Sequence, residues 1–503
     1  MSAGGNERRG AGTRRAVAVA DEAPVPVVLS LISHTNVGKT TLARTLLRQD
    51  VGEAFDQSHV TDTNTAYTLI TDGDSELRLW DTPGFGDTSR LLKRLKNIDN
   101  PLGWVVSQVW DRFTDRPMWC SQQAVKNVRD EADIVLYLVN AAEDPGASGF
   151  VLMEMEILSW IGKPVVVLLN QTGGWARERG AEAAEEDAWR QHLAEVEVVQ
   201  DVLGLDAFAR CWIQEDELLG TIQIALDRPV RRRFRKLRAA WRRENLAIFE
   251  SSMELLAAQL AGSLADRQEV SAETLAQKIG IRRAERNAEL EAARAKLGAR
   301  LLERTKKAVN ELIRIHKLEG ETARKLERFG EGSFGEPKNV HESIWGALGG
   351  AGAGLLTGLA ADVMAGGMTL GGGVIAGTLL GGSGAYFLAR GYNLARGSDN
   401  NVRWSKDHFV EQVKAALLCY LAVAHFGRGR GAWEDSEYPA HWKEAADEAI
   451  GSERDQIEKI WARSGEEPAP SGLDSRLATT LKISAQQVLS RLYPEASAIF
   501  RDG

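Results

Sequence analysis

The stretch Leu31-Ile-Ser-His-Thr-Asn-Val-Gly-Lys-Thr-Thr41 decides how the first part of the chain is read. Before it, Val25-Pro-Val-Val-Leu-Ser30 has the apolar run of a buried strand. After it, Leu42-Ala-Arg-Thr-Leu-Leu47 carries apolar residues at helical spacing. Strand, loop, Gly-Lys-Thr and helix form the context in which a loop cradles phosphates. The loop's N–H groups converge on phosphate oxygens, and the helix N-terminus adds positive potential. Lys39 then reaches the β/γ-phosphates and the Thr40 hydroxyl takes one Mg²⁺ position. One departure is plain: Ser33 stands where such loops usually begin with glycine.

The residues that follow supply a second motif. Residues 48–65 are polar, as a loop over phosphates is. Ala66-Tyr-Thr-Leu-Ile70 and Glu76-Leu-Arg-Leu-Trp80 read as two strands, and the Asp-Gly pair in Thr71-Asp-Gly-Asp-Ser75 turns them into a hairpin. The second strand runs into Asp81-Thr-Pro-Gly-Phe85. An aspartate there holds a Mg²⁺-bound water, and Gly84 presents its N–H to a γ-phosphate. Further on, Asp133-Ile-Val-Leu-Tyr-Leu-Val139 is apolar enough for a strand covered on both faces. A helix over 148–162 follows it. Pro164-Val-Val-Val-Leu-Leu169 is the next strand, opening into Asn170-Gln-Thr-Gly173. A helix over 181–203 and a last strand at Phe208–Ile213 complete the expectation. Alternating strands and helices with two phosphate motifs predict a three-layer α/β P-loop NTPase domain. Its sheet is mostly parallel, with the ligand at the carboxyl ends of the strands.

Over about residues 25–225 the chain resembles the Era/TrmE-like branch of P-loop GTPases, on the loop Ser33-His-Thr-Asn-Val-Gly-Lys-Thr40 and on Asp81-Thr-Pro-Gly84. The resemblance implies GTP and GDP as ligands, bound by Ser33, His34, Thr35, Asn36, Val37, Gly38, Lys39, Thr40 and Thr41. It implies Mg²⁺ held by Thr40, by Asp81 through water, and by a switch threonine in Val60-Thr-Asp-Thr-Asn64, for which Thr61 and Thr63 both qualify and spacing favours Thr61. Lys39, Asn36 and Gly84 are the expected catalytic positions. Phe85 stands where other GTPases carry a water-orienting Gln. Asn36 is either a simple loop hydrogen-bonder or a ligand for K⁺, whose charge acts on the transition state as an arginine finger does. The second case implies slow turnover in the monomer and stimulation by K⁺ and dimerisation through this domain. Of the guanine-reading Asn-Lys-x-Asp pattern, Asn170-Gln-Thr-Gly173 keeps only Asn170. Losing the bidentate carboxylate weakens the case for guanine selectivity and leaves ATP or relaxed specificity open.

The sequence has 503 residues and a formal charge of −8, with a pI near 5.7, so bulk electrostatics gives no case for nucleic acid, and no nucleic-acid module is recognisable. Cys120, Cys211 and Cys419 are scattered without metal-ligand spacing and read as small buried hydrophobes. Residues 1–24 read as a disordered tail. Their Val17-Ala-Val-Ala20 is too short for a signal-peptide core. Trp104, Trp110 and Trp119 mark an insertion after the second motif, either a partner surface or its own small core.

From Arg228 strand signals disappear and an all-α region is expected. Arg231-Arg-Arg-Phe-Arg-Lys-Leu-Arg238 with Trp241-Arg-Arg243 reads as a solvated helix face, as ion pairs with the acidic helix near Glu182 to Asp187, or as a lipid-headgroup surface. Leu290, Leu297, Leu301, Ala308, Leu312 and Ile315 have the spacing of long helices in an antiparallel bundle or short coiled coil. Between Ile344 and Ala389 the only charge is Asp362, and glycines recur every four residues at Gly346, Gly350, Gly354 and Gly358, then at Gly373, Gly377 and Gly381. This is the small-xxx-small spacing of close-packed membrane helices. The stretch reads as a membrane-inserting helical hairpin, with both ends on the cytoplasmic side near Lys338, Arg390 and Arg396. A buried hairpin in a soluble bundle and a flexible loop are the competing readings. An amphipathic helix at Trp404–Phe426 and helices at 440–463 and 473–492 close the chain.

The expected organisation is a tail (1–24), a GTPase domain (25–228), a helical bundle or coiled coil (229–340), the glycine-rich hydrophobic hairpin (341–393) and a C-terminal helical region (394–503). The function that fits is a GTP-hydrolysing switch on the inner face of the cytoplasmic membrane, acting with membrane lipid and an unidentified membrane protein. The alternatives are a cytoplasmic location, a dynamin-like membrane remodeller, and a weakly active nucleotide-binding scaffold.

Overall fold

The computed structural model describes residues 25–34, 37–48, 64–96, 98, 100–101, 103, 115–170, 179–205, 211–270, 283–318, 394–396, 401–425, 440–466 and 471–502. The first nine apolar-rich residues form β1 (Val25–Ser33), followed by α1 (Lys39–Leu47), β2 (Thr65–Asp72), β3 (Ser75–Asp81), α2 (Thr88–Leu95), α3 (Arg116–Asp130) and β4 (Ile134–Asn140). Then come α4 (Gly149–Ile161), β5 (Val165–Asn170), α5 (Arg179–His192), β6 (Val199–Gly204) and α6 (Trp212–Ala225). The six strands lie in the order β2-β3-β1-β4-β5-β6, and only the β2–β3 pair is antiparallel. Asp72 pairs with Ser75 across the Gly73-Asp74 turn, where Gly73 adopts φ 59°, so the Asp-Gly signal makes the expected hairpin.

Alternation along β4 explains the three layers. Ile134, Leu136 and Leu138 face a core shared with α1, α6 and the start of the next long helix. Val135, Tyr137 and Val139 face a second core with α2, α3, α4 and Trp189 of α5. With two faces to bury, both parities of β4 must be apolar.

The last strand departs from expectation. Helix α5 ends at His192, β6 occupies Val199–Gly204 beside β5, and Trp212–Ala225 is a helix. Valines at 196, 198, 199 and 202 suit a pleated, half-buried edge better than a helix. Pairing with Val165–Leu169 gives their backbone a ladder that no helix end offers there.

Beyond the sheet lie α7 (Arg228–Ala265), β7 (Gln268–Glu269), α8 (Arg283–Ile315), β8 (Leu394–Arg396), β9 (Asn401–Trp404), α9 (Lys406–Ala424), α10 (Ala440–Ser452), α11 (Arg454–Arg463), α12 (Leu473–Leu492) and α13 (Ala496–Asp502). Helices α7 and α8 are antiparallel, with Lys317 paired to Glu244 near one end and Arg304 to Asp266 at the other. Helix α9 keeps an amphipathic stripe only over its first half, at Asp407, Glu411 and Lys414, and from Ala416 to Val423 every residue is buried. It runs through the helical core, and where other helices enclose it there is no polar face to show. Strands also reappear: β7, β9 and β8 form a small antiparallel sheet in that order. Val402 and Trp404 of this sheet cover Leu297 and Leu301 of α8.

Helix α7 ties the two regions together. Phe234, Leu237 and Trp241 pack under the α/β sheet, whereas Phe249, Met253, Leu256 and Leu260 belong to the helical core. The basic run is therefore partly structural. Arg238 and Arg242 each make two hydrogen bonds to Asp216 of α6 (2.8–3.1 Å), and Arg231 donates to the Leu226 and Ile224 carbonyls. Among the described residues the run's ion-pair partners are Asp216 and, for Arg243, Asp72, rather than the acidic helix, whose Glu186 and Asp187 pair with their own Arg190. Arg232, Arg235 and Lys236 remain on a solvated face.

Arg48 is the other tie. It ends α1 in the left-handed conformation (φ 54°), and its side chain enters the seam between regions. There it donates to Asn245 of α7, lies 3.8 Å from Glu215 of α6 and stands over the Trp241 ring at 5.7 Å.

Among the described residues no helix is long and apolar enough to cross a membrane. The tail, Trp104, Trp110 and the Ile344–Ala389 hairpin lie outside the described residues.

Candidate functional site

The carboxyl ends of β1, β3 and β5 bring the two phosphate motifs together. Parallel pairing sets Leu31 opposite Asp81, so the loop leaving β1 and the chain leaving β3 emerge side by side. Gly38 caps α1 at φ 93°, a left-handed turn that a side chain would strain, and Leu42 N–H closes the first helical turn on the Gly38 carbonyl at 2.9 Å. The turn points Lys39 back across the loop. Its ammonium donates to Ser33 Oγ at 2.9 Å. The Gly84 Cα lies so near that an added Cβ would meet Lys39 Nζ at 3.0 Å and the Ser33 carbonyl at 3.1 Å. Burial lowers the Lys39 pKa, and nearby Asp81 and Glu154 oppose that shift. A buried ammonium at the meeting point of two phosphate motifs favours an anionic ligand beside it.

Thr40, one residue on, donates from Oγ1 to Asp81 Oδ2 at 2.8 Å. Thr82 Oγ1 donates to the Leu31 carbonyl at 2.5 Å, holding the start of the Asp-Thr-Pro-Gly segment to β1. A hydroxyl beside a carboxylate is the hard-oxygen pair that suits Mg²⁺. Val37 is buried and Thr41 half-buried in the first turn of α1.

Three sequence features acquire a physical role here. Ser33, the missing glycine, is fully buried, and its hydroxyl receives the Lys39 ammonium. Asn170, the remnant of the base-reading pattern, is fully buried at the end of β5. Its side-chain amide donates to the Val37 carbonyl at 2.8 Å, bracing the phosphate loop. Phe85 is a core residue, and its N–H donates to the Ser33 carbonyl at 2.9 Å. Thr35, Asn36, Thr61, Thr63 and Gln171–Gly173 lie outside the described residues.

His34 turns from the loop into the protein. Its ring sits 4.6 Å from that of Phe150, and Nδ1 donates to Glu154 Oε1 at 2.8 Å. The hydrogen bond to Glu154 raises its pKa against the opposing effect of burial. Glu154 was not singled out by sequence reasoning, although an acid inside the apolar run Gly149–Ile161 is the signal that could have found it. The three cysteines are buried thiols, and among the described residues no group of acids, histidines or cysteines could hold a metal on its own.

The sequence pattern of a family described as 50S ribosome-binding GTPase matches residues 28–171, and that of a family described as Domain of unknown function (DUF3482) matches residues 190–493. None of the curated proteins compared matches the chain. Among solved structures, the chain is similar to a variant of Era from Aquifex aeolicus bound to GDP.AlF4- (17% identity, 40% of this chain and 57% of that one, TM-score 0.30). It is similar to Era in complex with MgGDPNP and a segment of 16S ribosomal RNA (17% identity, 41% and 58%, TM-score 0.30). It is also similar to mGMPPNP-bound NFeoB from S. thermophilus (15% identity, 47% and 71%, TM-score 0.23). The chain spans less than two-thirds of the length of the two Era structures.

Proposed function

From a chain that belongs to the DUF3482 family and carries an Era-like, GTP-binding GTPase domain ahead of a separate helical region, we propose a GTP-hydrolysing switch. The observation that carries this reading is the buried Lys39 ammonium, held between Ser33 Oγ and Gly84 where the two phosphate motifs meet. In the proposed complex Lys39 takes the β/γ-phosphate oxygens and Gly84 N–H takes the γ-phosphate. Thr40 and Asp81 would hold Mg²⁺, with Thr61 as the switch ligand. The ion, when bound, neutralises charge on the β- and γ-oxygens. Asn170 keeps the loop in register with β5 through Val37.

Hydrolysis is expected to be slow. Phe85 is locked in the core, so no side chain at that position orients the attacking water. Asn36 then recruits K⁺, and nucleotide-dependent dimerisation through the GTPase domain completes the site. Phosphate release from GTP measured in K⁺ and in Na⁺ over a range of protein concentration tests this. Equal rates in both salts at every concentration overturn the K⁺ and dimer part, and no release in either overturns hydrolysis itself. Competition between GTP and ATP for the same site tests guanine selectivity.

We place the switch at the inner face of the cytoplasmic membrane on the strength of the Ile344–Ala389 sequence alone, with its single charge and four-residue glycine spacing. Carbonate extraction of membranes is the test, and release of the chain into the soluble fraction sinks this placement.

A further inference from the structure

Glu154 is fully buried in α4, in a helix whose other inward residues, Val151, Met155, Ile157 and Leu158, are apolar. A carboxylate taken out of water is costly unless donors fill its oxygens. Three do so. Tyr137 of β4 donates from its hydroxyl to Oε2 at 2.6 Å. Thr88 Oγ1, in the first turn of α2, donates to Oε1 at 2.8 Å. His34 Nδ1, from the phosphate loop, donates to the same Oε1 at 2.8 Å.

These donors come from parts with different freedom. Tyr137 sits in the central sheet and fixes the carboxylate. Thr88 and His34 belong to the two segments that meet the phosphates. Those segments touch already where Phe85 N–H reaches the Ser33 carbonyl at 2.9 Å, and Gly84 lies against Lys39 Nζ there. The bridge through Glu154 joins them a second time, four residues beyond Gly84. Asp87 caps α2 on the Arg90 N–H at 3.0 Å, and Gly86 N–H donates to Ser121 Oγ at 3.1 Å, so the short run from 84 to 88 is held along its length. With Phe85 in the core, what this run offers a nucleotide is the position of its backbone.

We propose that Glu154 is a positioning residue for hydrolysis. Through Thr88 and His34 it holds the 84–88 segment against the phosphate loop, and so sets the Gly84 N–H where a γ-phosphate binds. The inference rests on the GTPase reading above and adds a residue outside both phosphate motifs. An acid kept only for packing would affect melting temperature alone. A positioning acid affects what the γ-phosphate experiences.

The test uses the full chain as Glu154→Gln, Thr88→Val, Thr88→Ser and the Glu154→Gln/Thr88→Val pair. kcat and KM for GTP are measured, together with affinities for GDP and for a non-hydrolysable GTP analogue. Glu154→Gln is expected to lower kcat about tenfold or more with KM changed less than about threefold, the signature of an interaction that matters at the transition state. The preference for the triphosphate analogue over GDP should fall about fivefold, because only the third phosphate meets Gly84. Thr88→Val should shift both in the same direction, Thr88→Ser should restore them, and Thr88→Val should add little once Glu154 is Gln. A folded Glu154→Gln chain with kcat and analogue preference at wild-type values overturns the proposal, as do fully additive effects in the double variant. If Glu154→Gln does not fold, Thr88→Val against Thr88→Ser decides by the same two readouts. A wild-type chain that binds GTP without hydrolysing it sinks the hydrolysis reading, and the analogue preference alone then supports or overturns the role of Glu154. A wild-type chain that binds no nucleotide overturns both.

Discussion

The α/β domain and the helical region bury polar groups in opposite states. Around the phosphate loop the buried groups are Lys39, Asp81, Glu154 and Asn170, placed against donors, acceptors or one another. In the helical region they include His316, His408 and His425, whose pKa values burial pushes down to about 3, 4 and 4, so their rings are neutral. His425 spends its two nitrogens on the Leu421 carbonyl (2.7 Å) and the Tyr493 hydroxyl (2.8 Å). His34 goes the other way, its pKa raised by Glu154. One region holds charge where an anionic ligand can answer it. The other keeps these buried imidazoles neutral, and its buried Asp266 is paired with Arg300 and Arg304.

Acid should break this contrast with the largest effect. Above pH 6.5 the three buried imidazoles are neutral in both folded and unfolded chains and cost nothing. As pH falls below 6.5 the unfolded chain takes up protons that the folded core refuses, so stability declines. The loss is about 2 kcal/mol per imidazole at pH 5, or about 6 for the three. Thermal unfolding between pH 7.5 and 5 measures it, and a helical region that melts unchanged at pH 5 contradicts the burial argument.

Lys39→Ala should come next. Removing the ammonium is expected to weaken GTP binding about 100-fold or more, near 3 kcal/mol, as for other charged hydrogen bonds. The melting temperature should hold or rise, because a poorly compensated buried charge has gone. Titration with a fluorescent nucleotide beside a melting curve separates the two, and a parallel drop in both would make Lys39 structural.

At the seam, Asp216→Ala leaves Arg238 and Arg242 without the carboxylate they share. Burial alone pushes up the Asp216 pKa, but the two guanidiniums outweigh it and hold it below its usual value. Loss of this acid should cost about 2–3 kcal/mol, since breaking a buried pair strands its partners. Denaturant unfolding with both regions monitored shows whether they then separate into two transitions.

The smallest effect is at Arg48. Ala and Gly at this position both lose the contacts with Asn245 and Trp241, but φ 54° suits glycine. Arg48→Gly should therefore be more stable than Arg48→Ala by about 1 kcal/mol. Equal stability would mean the backbone relaxes once the side chain is removed.

Much of the α/β domain was legible because its signals are local. The Asp-Gly hairpin, the apolar β4 and β5 and the Gly-Lys-Thr loop each announce themselves within ten residues or so. The last strand did not, because its valines directly follow an Ala/Glu-rich helical stretch and read as its continuation until β5 offers them a partner. Helix α9 is less amphipathic than it looked for a related reason: two of its polar residues, His408 and Gln412, are buried. Gln412 accepts a hydrogen bond from Ser263 of α7 at 2.6 Å. The basic run could not name Asp216, which lies 22 and 26 positions from its two arginines. Of the expected site, Ser33, Lys39, Thr40, Asp81, Gly84 and Asn170 meet at one end of the sheet. Glu154 was invisible as a partner of His34, since 120 residues separate them.

By itself, the sequence determined that a phosphate loop and an Asp-Thr-Pro-Gly motif sit on a parallel sheet. The reason is that loop chemistry and apolar periodicity act over short stretches of chain. Tertiary structure alone decided what the unusual residues do. Ser33 receives the lysine, Asn170 braces the loop, Phe85 joins the core, and Glu154 ties the two phosphate segments together. It also decided that α7 runs from under the sheet into the helical core. Each of these depends on groups far apart in sequence meeting away from water, where hydrogen bonding and burial are settled by neighbours that no local pattern names.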